Sequence, residues 1–452
     1  MKLIPVIAIC VGLLLAGCTY LPGQTPTNAA ERTVSPAASA EPSTTPQAAG
    51  SALAEATALP DSNLETQYPG AQVTGTEAGV VALQIWVPPQ FDPGSGSPAG
   101  KLLKARLDEF TERRPDVRLE VRVKSETGMG GIYESLSAAT SAAQLAVPDL
   151  VALDFAQIQT AAQNGLIRPL DGMTSALDNP DWFDYARKIA LVQNSIFGLP
   201  FAGDALVQVY QPGDEQQPGT SWMSVLQSVN PLIFPAGDPH ALFSLALYQA
   251  SGGLFVDEGG RPQLQEAPLQ KVLRFYQDAE SVGVMPDTLV QYHNDDQAWQ
   301  AYLANPTGSI ATWASRYLAE SPGQLAIQRI PTLDGKPYTI ARGWAWTLAS
   351  QDSRKRELAL QLVEFLTESD FLARWTEAAG YLPPRPSALE GWSNQQIRAE
   401  LNSILNAATL APPPEILDSL GLRIQPAVLQ VLKNELDADA AAKAVLTTQE
   451  AP

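Results

Sequence analysis

The chain has 452 residues, 45% of them hydrophobic, and a formal net charge of −19 at pH 7. Its length exceeds one ordinary hydrophobic core, which favours two domains with tails. Such an acidic surface repels phosphate backbones and argues against a nucleic-acid partner. Only two cysteines (Cys10 and Cys18) and two histidines (His240 and His293) are present. They supply little for a metal site or a Ser-His-Asp triad, so we expect no metal, no cofactor and no enzymatic activity.

The first eighteen residues have the pattern of an export signal. Lys2 gives a positive start, and an apolar run extends from Leu3 to Leu15, followed by Ala-Gly-Cys. The run is shorter than the roughly 20 residues of a transmembrane helix and fits a signal-peptide core. The ending resembles the lipobox of bacterial lipoproteins, in which the cysteine, here Cys18, is lipidated and becomes the mature N-terminus. We predict a lipoprotein signal peptide over residues 1–17, with an ordinary signal peptide as the alternative.

The stretch that follows is dominated by Ala, Ser, Thr and Pro. A segment of this composition cannot bury enough apolar surface to offset the entropy lost on ordering. We therefore predict a disordered tether over residues 18–79, which would hold a folded body away from the membrane.

The first part of the body alternates strands and helices. Strands are predicted at 81–87, 117–123 and 150–153, and helices at 101–114, 132–147 and 156–164, by apolar periodicity and by Ser97-Pro98 as a helix start. This order predicts a doubly wound parallel sheet. Ligands bind beyond the carboxyl ends of such strands, which here are the loops 88–92, 125–131 and 154–157.

The second part of the chain carries further elements. The pattern predicts a helix that begins at Ser221 and further helices at 239–250, 268–282, 357–367, 371–378 and, in the tail, 415–447. It also predicts strands at 309–313 and 343–348 and a hairpin at 254–264.

Several motifs recur in the order found in one family. They are Pro-Asp-Leu-Val at 148–151, Gly-Leu-Ile-Arg-Pro-Leu-Asp at 165–171, Gly-Leu-Pro-Phe at 198–201, Thr-Ser-Trp at 220–222, Gly-Gly at 252–253 and Gly-Tyr-Leu-Pro at 380–383. Over residues 81–446 the chain resembles the bacterial extracellular solute-binding proteins of ABC importers, sugar-binding type, the group that includes maltose-binding protein. It departs from them in the proline-rich loop 88–99 and in lacking most of the charged groups that follow the first strand.

The resemblance implies an α/β fold of the two-lobed periplasmic-binding-protein type (type II), hinged by crossing segments. It places lobe 1 at 80–203 plus 311–345 and lobe 2 at 204–310 plus 346–447. It also implies a monomer that traps a small ligand and presents it to ABC permease subunits, with the membrane reached through the lipid on Cys18.

A sugar site needs aromatic planes for the C–H faces and carboxylates or amides for the hydroxyls. Strand ends and the crossings implied by the resemblance supply such residues. We predict that the ligand is bound by Phe91, Asp92, Asp154, Phe155, Asp204, His240, Trp313, Arg342, Trp344 and Tyr381.

Several of these residues have structural alternatives. Asp154 would cap the helix that follows it, while Asp92 and Asp204 would lie in solvated turns. Arg342 would form a structural salt bridge, and Trp313 would pack in the core.

Neighbouring residues add two further alternatives. Asp238 is expected to cap a helix, which leaves His240 open between a ligand contact and a surface position. Trp344 and Trp346 point the same way, and we expect Trp346 to pack in the core.

The sequence therefore predicts a lipid-anchored extracellular solute-binding protein that captures a small ligand, a carbohydrate first, for an ABC importer. A carboxylate pair acting on glycosides is one alternative, although no motif singles out such a pair. A ligand-sensing surface lipoprotein of the same fold is another.

Overall fold

The computed structural model describes residues 79–213, 217–320 and 324–449. The predicted signal peptide, Cys18 and all but the last residue of the predicted tether lie outside this part of the chain. The strands of the described part are β1 (Val81–Val87), β2 (Val117–Val123), β3 (Leu150–Asp154), β4 (Leu191–Val192), β5 (Ser195–Ile196), β6 (Leu199–Tyr210), β7 (Leu232–Ile233), β8 (Ser309–Trp313), β9 (Ala326–Gln328), β10 (Thr339–Leu348) and β11 (Ala408–Leu410).

The described part of the chain contains fifteen α-helices. They are α1 (Pro98–Arg113), α2 (Ile132–Ala142), α3 (Phe155–Gln163), α4 (Asp184–Ile189), α5 (Trp222–Leu226), α6 (Leu242–Ala250), α7 (Glu266–Ser281), α8 (Asp295–Ala304), α9 (Ala314–Glu320), α10 (Ser353–Leu366), α11 (Ser369–Ala379), α12 (Pro386–Glu390), α13 (Gln395–Asn406), α14 (Pro414–Leu432) and α15 (Ala438–Gln449).

Local chemistry explains why several helices start where they do. The Ser97 side chain accepts from the Gly100 amide, with Pro98 as the first residue of α1. Ser221 forms a capping box with Ser224 at the start of α5, as does Asp154 with Gln157 at the start of α3.

The main sheet has nine strands, with β2-β1-β3-β10-β6-β8-β7 as its path, while β11 pairs with β10 and β9 with β6. The parallel pairing predicted for the first three strands is confirmed, with β1 between β2 and β3. Beyond these three strands the sheet is mixed, because β10 runs antiparallel to both β3 and β6. The order of neighbouring elements does not predict this pairing, because β10 is far from both β3 and β6 in the sequence.

Two long strands connect the halves of the sheet. β6 pairs with β10 through its first half and with β8 through its second. β10 pairs with β3 at its carboxyl end and with β11 at its start. Gly203 of β6 lies opposite Gly343 of β10. A Cβ at either would collide with α4, at Tyr185 or Ile189, so only glycine lets the helix approach this closely.

The core falls into three clusters of buried side chains. One joins β1, α1, α10 and α11 around Phe91, Trp346 and Trp375. A second joins α6, α7, α14 and α15 around Tyr248 and Tyr276. The third lies along α2, α3, α4, α8 and α13.

The packing bears on the lobe boundaries, which stay a prediction. α10 and α11 share a cluster with β1 and α1, the elements of lobe 1, although the family resemblance assigned 346–447 to lobe 2. We propose on this basis that residues 353–379 belong with lobe 1. Among the described helices, none has the length and apolar character that a membrane span requires.

Candidate functional site

A cleft of about 400 Å³ opens where the carboxyl end of β3 meets β8 and β10. Pockets that hold small molecules run from about 300 to 1,000 Å³ and combine apolar walls with a few polar groups. The cleft is lined by Glu126, Asp154, Phe155, Ala156, Leu206, Pro235, Asp238, His240, Leu242, Phe243, Asn294, Asp295, Ala311, Trp313, Arg342, Gly343, Trp344, Ala411, Pro412, Pro414 and Leu417.

Six of the ten residues proposed from the sequence meet at this cleft. They are Asp154, Phe155, His240, Trp313, Arg342 and Trp344. Of the three strand-end loops predicted to hold ligand, 125–131 and 154–157 contribute lining residues, while 88–92 does not.

At the floor of the cleft, a charged side chain stacks on an aromatic ring. The guanidinium carbon of Arg342 lies 4.0 Å from the centre of the Trp313 ring, a cation–π geometry. Arg342 Nη2 lies 3.1 Å from Asp204 Oδ2. The arginine is therefore held from below by a ring and a carboxylate while 44% of its side chain stays exposed.

Asp204 is fully buried beneath this floor. Its Oδ1 accepts from the backbone amides of Ala205 and Ser315, both at 3.0 Å, and its Oδ2 accepts from Ser315 Oγ at 2.7 Å. The alternative of a solvated turn is therefore wrong for Asp204. Its carboxylate ties together β6, β10 and the start of α9, because Ala205 and Arg342 supply one donor each and Ser315 supplies two.

The wall on the β3 side carries carboxylates. Asp154 Oδ1 accepts from the Gln157 amide at 2.7 Å, so it caps α3 as well as lining the cleft. Burial raises the pKa of the Asp154 carboxyl; the Gln157 amide opposes the rise and the Glu126 charge adds to it. Glu126 Oε1 accepts from the Gln90 amide at 3.0 Å and from the Trp344 indole at 3.4 Å.

The opposite wall is mainly apolar. It is formed by side chains of α6, α14 and the loops before them: Pro235, Leu242, Phe243, Ala411, Pro412, Pro414 and Leu417. Polar groups lie at its rim.

The rim residues are tied to one another. Asp238 accepts from the His240 and Leu242 amides at 3.1 and 3.2 Å and so closes the turn before α6. The expectation that it is the N-cap residue is wrong, because Ala241 holds that position. His240 lies between two carboxylates, 3.5 Å from Asp238 and 3.1 Å from Asp418. Burial raises the pKa of Asp295, opposed by its hydrogen bond from Thr312 and by a nearby arginine.

The remaining sequence-predicted residues lie outside the lining. Phe91 is buried against four aromatic rings, those of Phe201, Trp344, Trp375 and Tyr381, with centroids 4.9 to 5.6 Å away. It supports Trp344 from behind.

Asp92 lies in a turn, where its Oδ1 accepts from the Gly94 amide at 2.7 Å. Tyr381 packs edge-on against Trp344 at 5.2 Å, and burial raises its pKa to about 12. These positions argue that Phe91 and Tyr381 support the site rather than line it.

Sequence reasoning missed the carboxylates of Glu126 and Asp295. Glu126 lies within a loop that the strand-end rule selected, so its acidic side chain was an available signal. Asp295 follows Asn294, which caps α8 through a bond to the Gln297 amide. Nothing local marks Asp295 as a cleft residue, because α8 reaches the site only through the tertiary fold.

Several solved structures with the same fold are described as sugar-binding proteins or as binding proteins with a bound sugar. The sugar-binding protein MalE of Xanthomonas citri is 16% identical, covers 81% of this chain and 96% of its own, and has a TM-score of 0.67. A cyclo/maltodextrin-binding protein complexed with maltotetraose is 17% identical, covers 82% of this chain and 97% of its own, and has a TM-score of 0.66. A solute-binding protein of Thermotoga lettingae bound with α-D-tagatose is 21% identical, covers 81% of this chain and 98% of its own, and has a TM-score of 0.60. At these identities the likeness establishes the fold.

The fold and cleft define a two-lobed α/β protein of the periplasmic-binding type. The sequence then identifies the family: residues 105–400 match the model of the bacterial extracellular solute-binding proteins, and the chain belongs to that family. Its members are extracellular binding proteins rather than enzymes. No curated protein matches the sequence.

Proposed function

We propose that this protein captures a small carbohydrate in the cleft between β3, β10 and α6 and delivers it to an ABC importer. The observation that carries the proposal is the combination of walls within one cleft. Trp313, Trp344 and Phe155 offer aromatic surface, while Glu126 and Asp154 offer hydrogen-bond acceptors. Sugar C–H faces pack on aromatic rings, and sugar hydroxyls donate to carboxylates.

The structural neighbours support the same chemistry. Their descriptions name maltotetraose and α-D-tagatose as bound ligands. Ligand would favour the closed arrangement of the lobes by binding it better than the open one, without chemical change to the solute.

The direct test is a ligand screen by thermal unfolding and calorimetry on the mature chain carrying Cys18→Ala. A sugar at a hundredfold excess over its Kd should raise the free energy of unfolding by about 2.7 kcal/mol. Phe155→Ala should weaken that binding, because Phe155 is a half-buried residue of the cleft wall. Phe197 is equally half-buried but outside the lining, so Phe197→Ala should leave the affinity unchanged. A full sugar panel without binding would refute the proposal.

We also infer that Cys18 carries the lipid that holds the protein at the cell membrane. The Leu-Ala-Gly-Cys ending of the export signal supports this. In cells, Cys18→Ala should abolish labelling with palmitate and release the protein from the membrane fraction. Cys10→Ala is the matched control and should leave both unchanged.

A further inference from the structure

The charged groups around the cleft are unequal in sign. Among the described residues that line it, four carboxylates, those of Glu126, Asp154, Asp238 and Asp295, stand against one guanidinium, that of Arg342. A cleft with low-dielectric walls concentrates the field of such an imbalance on whatever enters it.

Part of this charge is already compensated. Arg342 pairs with the buried Asp204 at 3.1 Å, and Asp295 pairs with Arg316 Nε at 3.1 Å. Asp238 faces the His240 ring, which carries charge only when protonated, so its charge is not counted as compensated. Negative charge without an arginine or lysine partner among the described residues therefore remains on Asp238 at the rim and on Asp154 and Glu126 on the β3 side.

Asp154 and Glu126 differ from Asp295 because their side chains accept hydrogen bonds from neutral groups and from no arginine. Asp154 accepts from the Gln157 amide, and Glu126 accepts from the Gln90 amide and the Trp344 indole. The ion pairs found between described residues include neither carboxylate, and Arg342, whose charge lowers the pKa of Asp154, is already held by Asp204. After burial, the charge of Glu126 is one of the causes that raise the pKa of Asp154. A cation between them would relieve this repulsion.

The same corner of the cleft carries aromatic surface. Trp344 donates to Glu126, and Phe155 directly follows Asp154 in the chain; both rings line the cleft. Carboxylates beside aromatic rings are a favourable environment for an ammonium group, through charge-assisted hydrogen bonds and cation–π contact.

We propose that the solute is an amino sugar whose ammonium group binds between Asp154 and Glu126. This rests on the proposed carbohydrate-binding function and narrows its ligand. The C–H face of the sugar would lie toward the apolar wall around Phe243 and Leu417. Neutral sugars fill the same space but leave the two carboxylates without a cation.

Calorimetry with matched sugars tests the proposal. Glucosamine, galactosamine and mannosamine, with their β-1,4-linked dimers, are compared with the neutral hexoses and the N-acetylated forms of the same sugars. We expect at least one amine to bind about tenfold or more tighter than both its neutral and its N-acetylated partner, because hydrogen bonds to charged groups are the stronger ones.

Two charge-removing variants locate the preference. Asp154→Asn keeps a good helix cap, and Glu126→Gln keeps an acceptor for Trp344, so both should fold. Each should remove most of the amine preference. Glu120→Gln makes the same charge change on β2, outside the cleft, and should leave the preference intact.

The outcomes separate this inference from the function on which it rests. Tight binding of neutral sugars with no amine preference would overturn the inference and leave the proposed function standing. An amine preference that survives in both charge variants would overturn the assigned position. Absence of binding by every sugar would overturn both proposals.

Discussion

The two walls of the cleft are built in different ways. On the β3 side, polar groups stand at strand ends, where Asp154 serves at once as helix cap and cleft carboxylate. On the opposite side, apolar residues of α6 and α14, such as Phe243 and Leu417, form a continuous surface. We infer that selectivity for polar groups of a ligand would come from the strand ends, while the helical wall would supply contact area of little selectivity. Four substitutions test this division.

Trp313→Ala should have the largest effect, because Trp313 joins the two walls at the floor. The ring is 91% buried and supports Arg342. We expect a loss of about 3–5 kcal/mol in the free energy of unfolding, measured in denaturant, and loss of ligand binding. Trp299, fully buried outside the cleft, is the control. Trp299→Ala should cost similar stability yet leave binding intact in the folded fraction; equal binding by both variants would remove Trp313 from the site.

Asp204→Ala should come second. It removes the carboxylate that accepts from Ser315 and Ala205 and holds Arg342. We expect a loss of about 2 kcal/mol in unfolding free energy, because buried amides lose their acceptor. Asp204→Asn keeps an acceptor oxygen and should cost less. If both variants were as stable as the parent, the floor would not depend on this residue.

Leu417→Ala probes the apolar wall. The truncation removes contact area from a partly buried cleft residue, so ligand affinity should fall by about 1 kcal/mol, roughly fivefold, for every bound sugar alike. Leu422 lies on the same helix, is 71% exposed and is not part of the lining. Leu422→Ala should therefore leave calorimetric affinities unchanged. A change in the ranking of sugars after Leu417→Ala would show that the wall does select.

Asp154→Asn should have the smallest effect, which is a change in how the free energy of unfolding depends on pH. Burial raises the folded-state pKa of Asp154 above its unfolded value, so the folded protein binds the proton more tightly. The stabilisation from that proton is complete below the unfolded pKa, near 3.9, and is lost as pH rises through the folded pKa. The asparagine variant lacks this dependence.

The variant should therefore be slightly more stable than the parent at pH 7, with the advantage vanishing below pH ~4. Thermal unfolding across this range measures the difference. If the difference in stability between variant and parent stays constant with pH, it arises from a change in helix capping and not from the titration of Asp154.

Sequence patterns predicted the local parts of the fold well. Apolar alternation placed β1, β2 and β3, and cap residues such as Ser97 and Ser221 marked helix starts. The patterns failed where distant segments pair. β6 is buried along almost all of its length, and its neighbours β8 and β10 follow roughly a hundred or more residues later, so no local signal sets their direction.

The residues of the candidate site show the same division between those that local patterns predict and those that only the tertiary fold brings to the cleft. Asp154 and Phe155 followed from the strand-end rule, and the family resemblance brought Trp313, Arg342 and Trp344 together. The rule failed for Phe91, because the aromatic cluster draws that side chain inward. Asp295 reaches the cleft on a helix whose own sequence carries no sign of it.

The paired glycines of the two long strands have one more consequence. Gly343 borders the cleft on one side and Ile189 of α4 on the other, so a single thickness of peptide backbone separates guest from helix there. A displacement of that backbone by an occupant would push directly on α4, with no side chain to absorb the movement. The exposed face of α4, at Asp184 and Lys188, thus has a short mechanical route by which a full cleft would differ from an empty one.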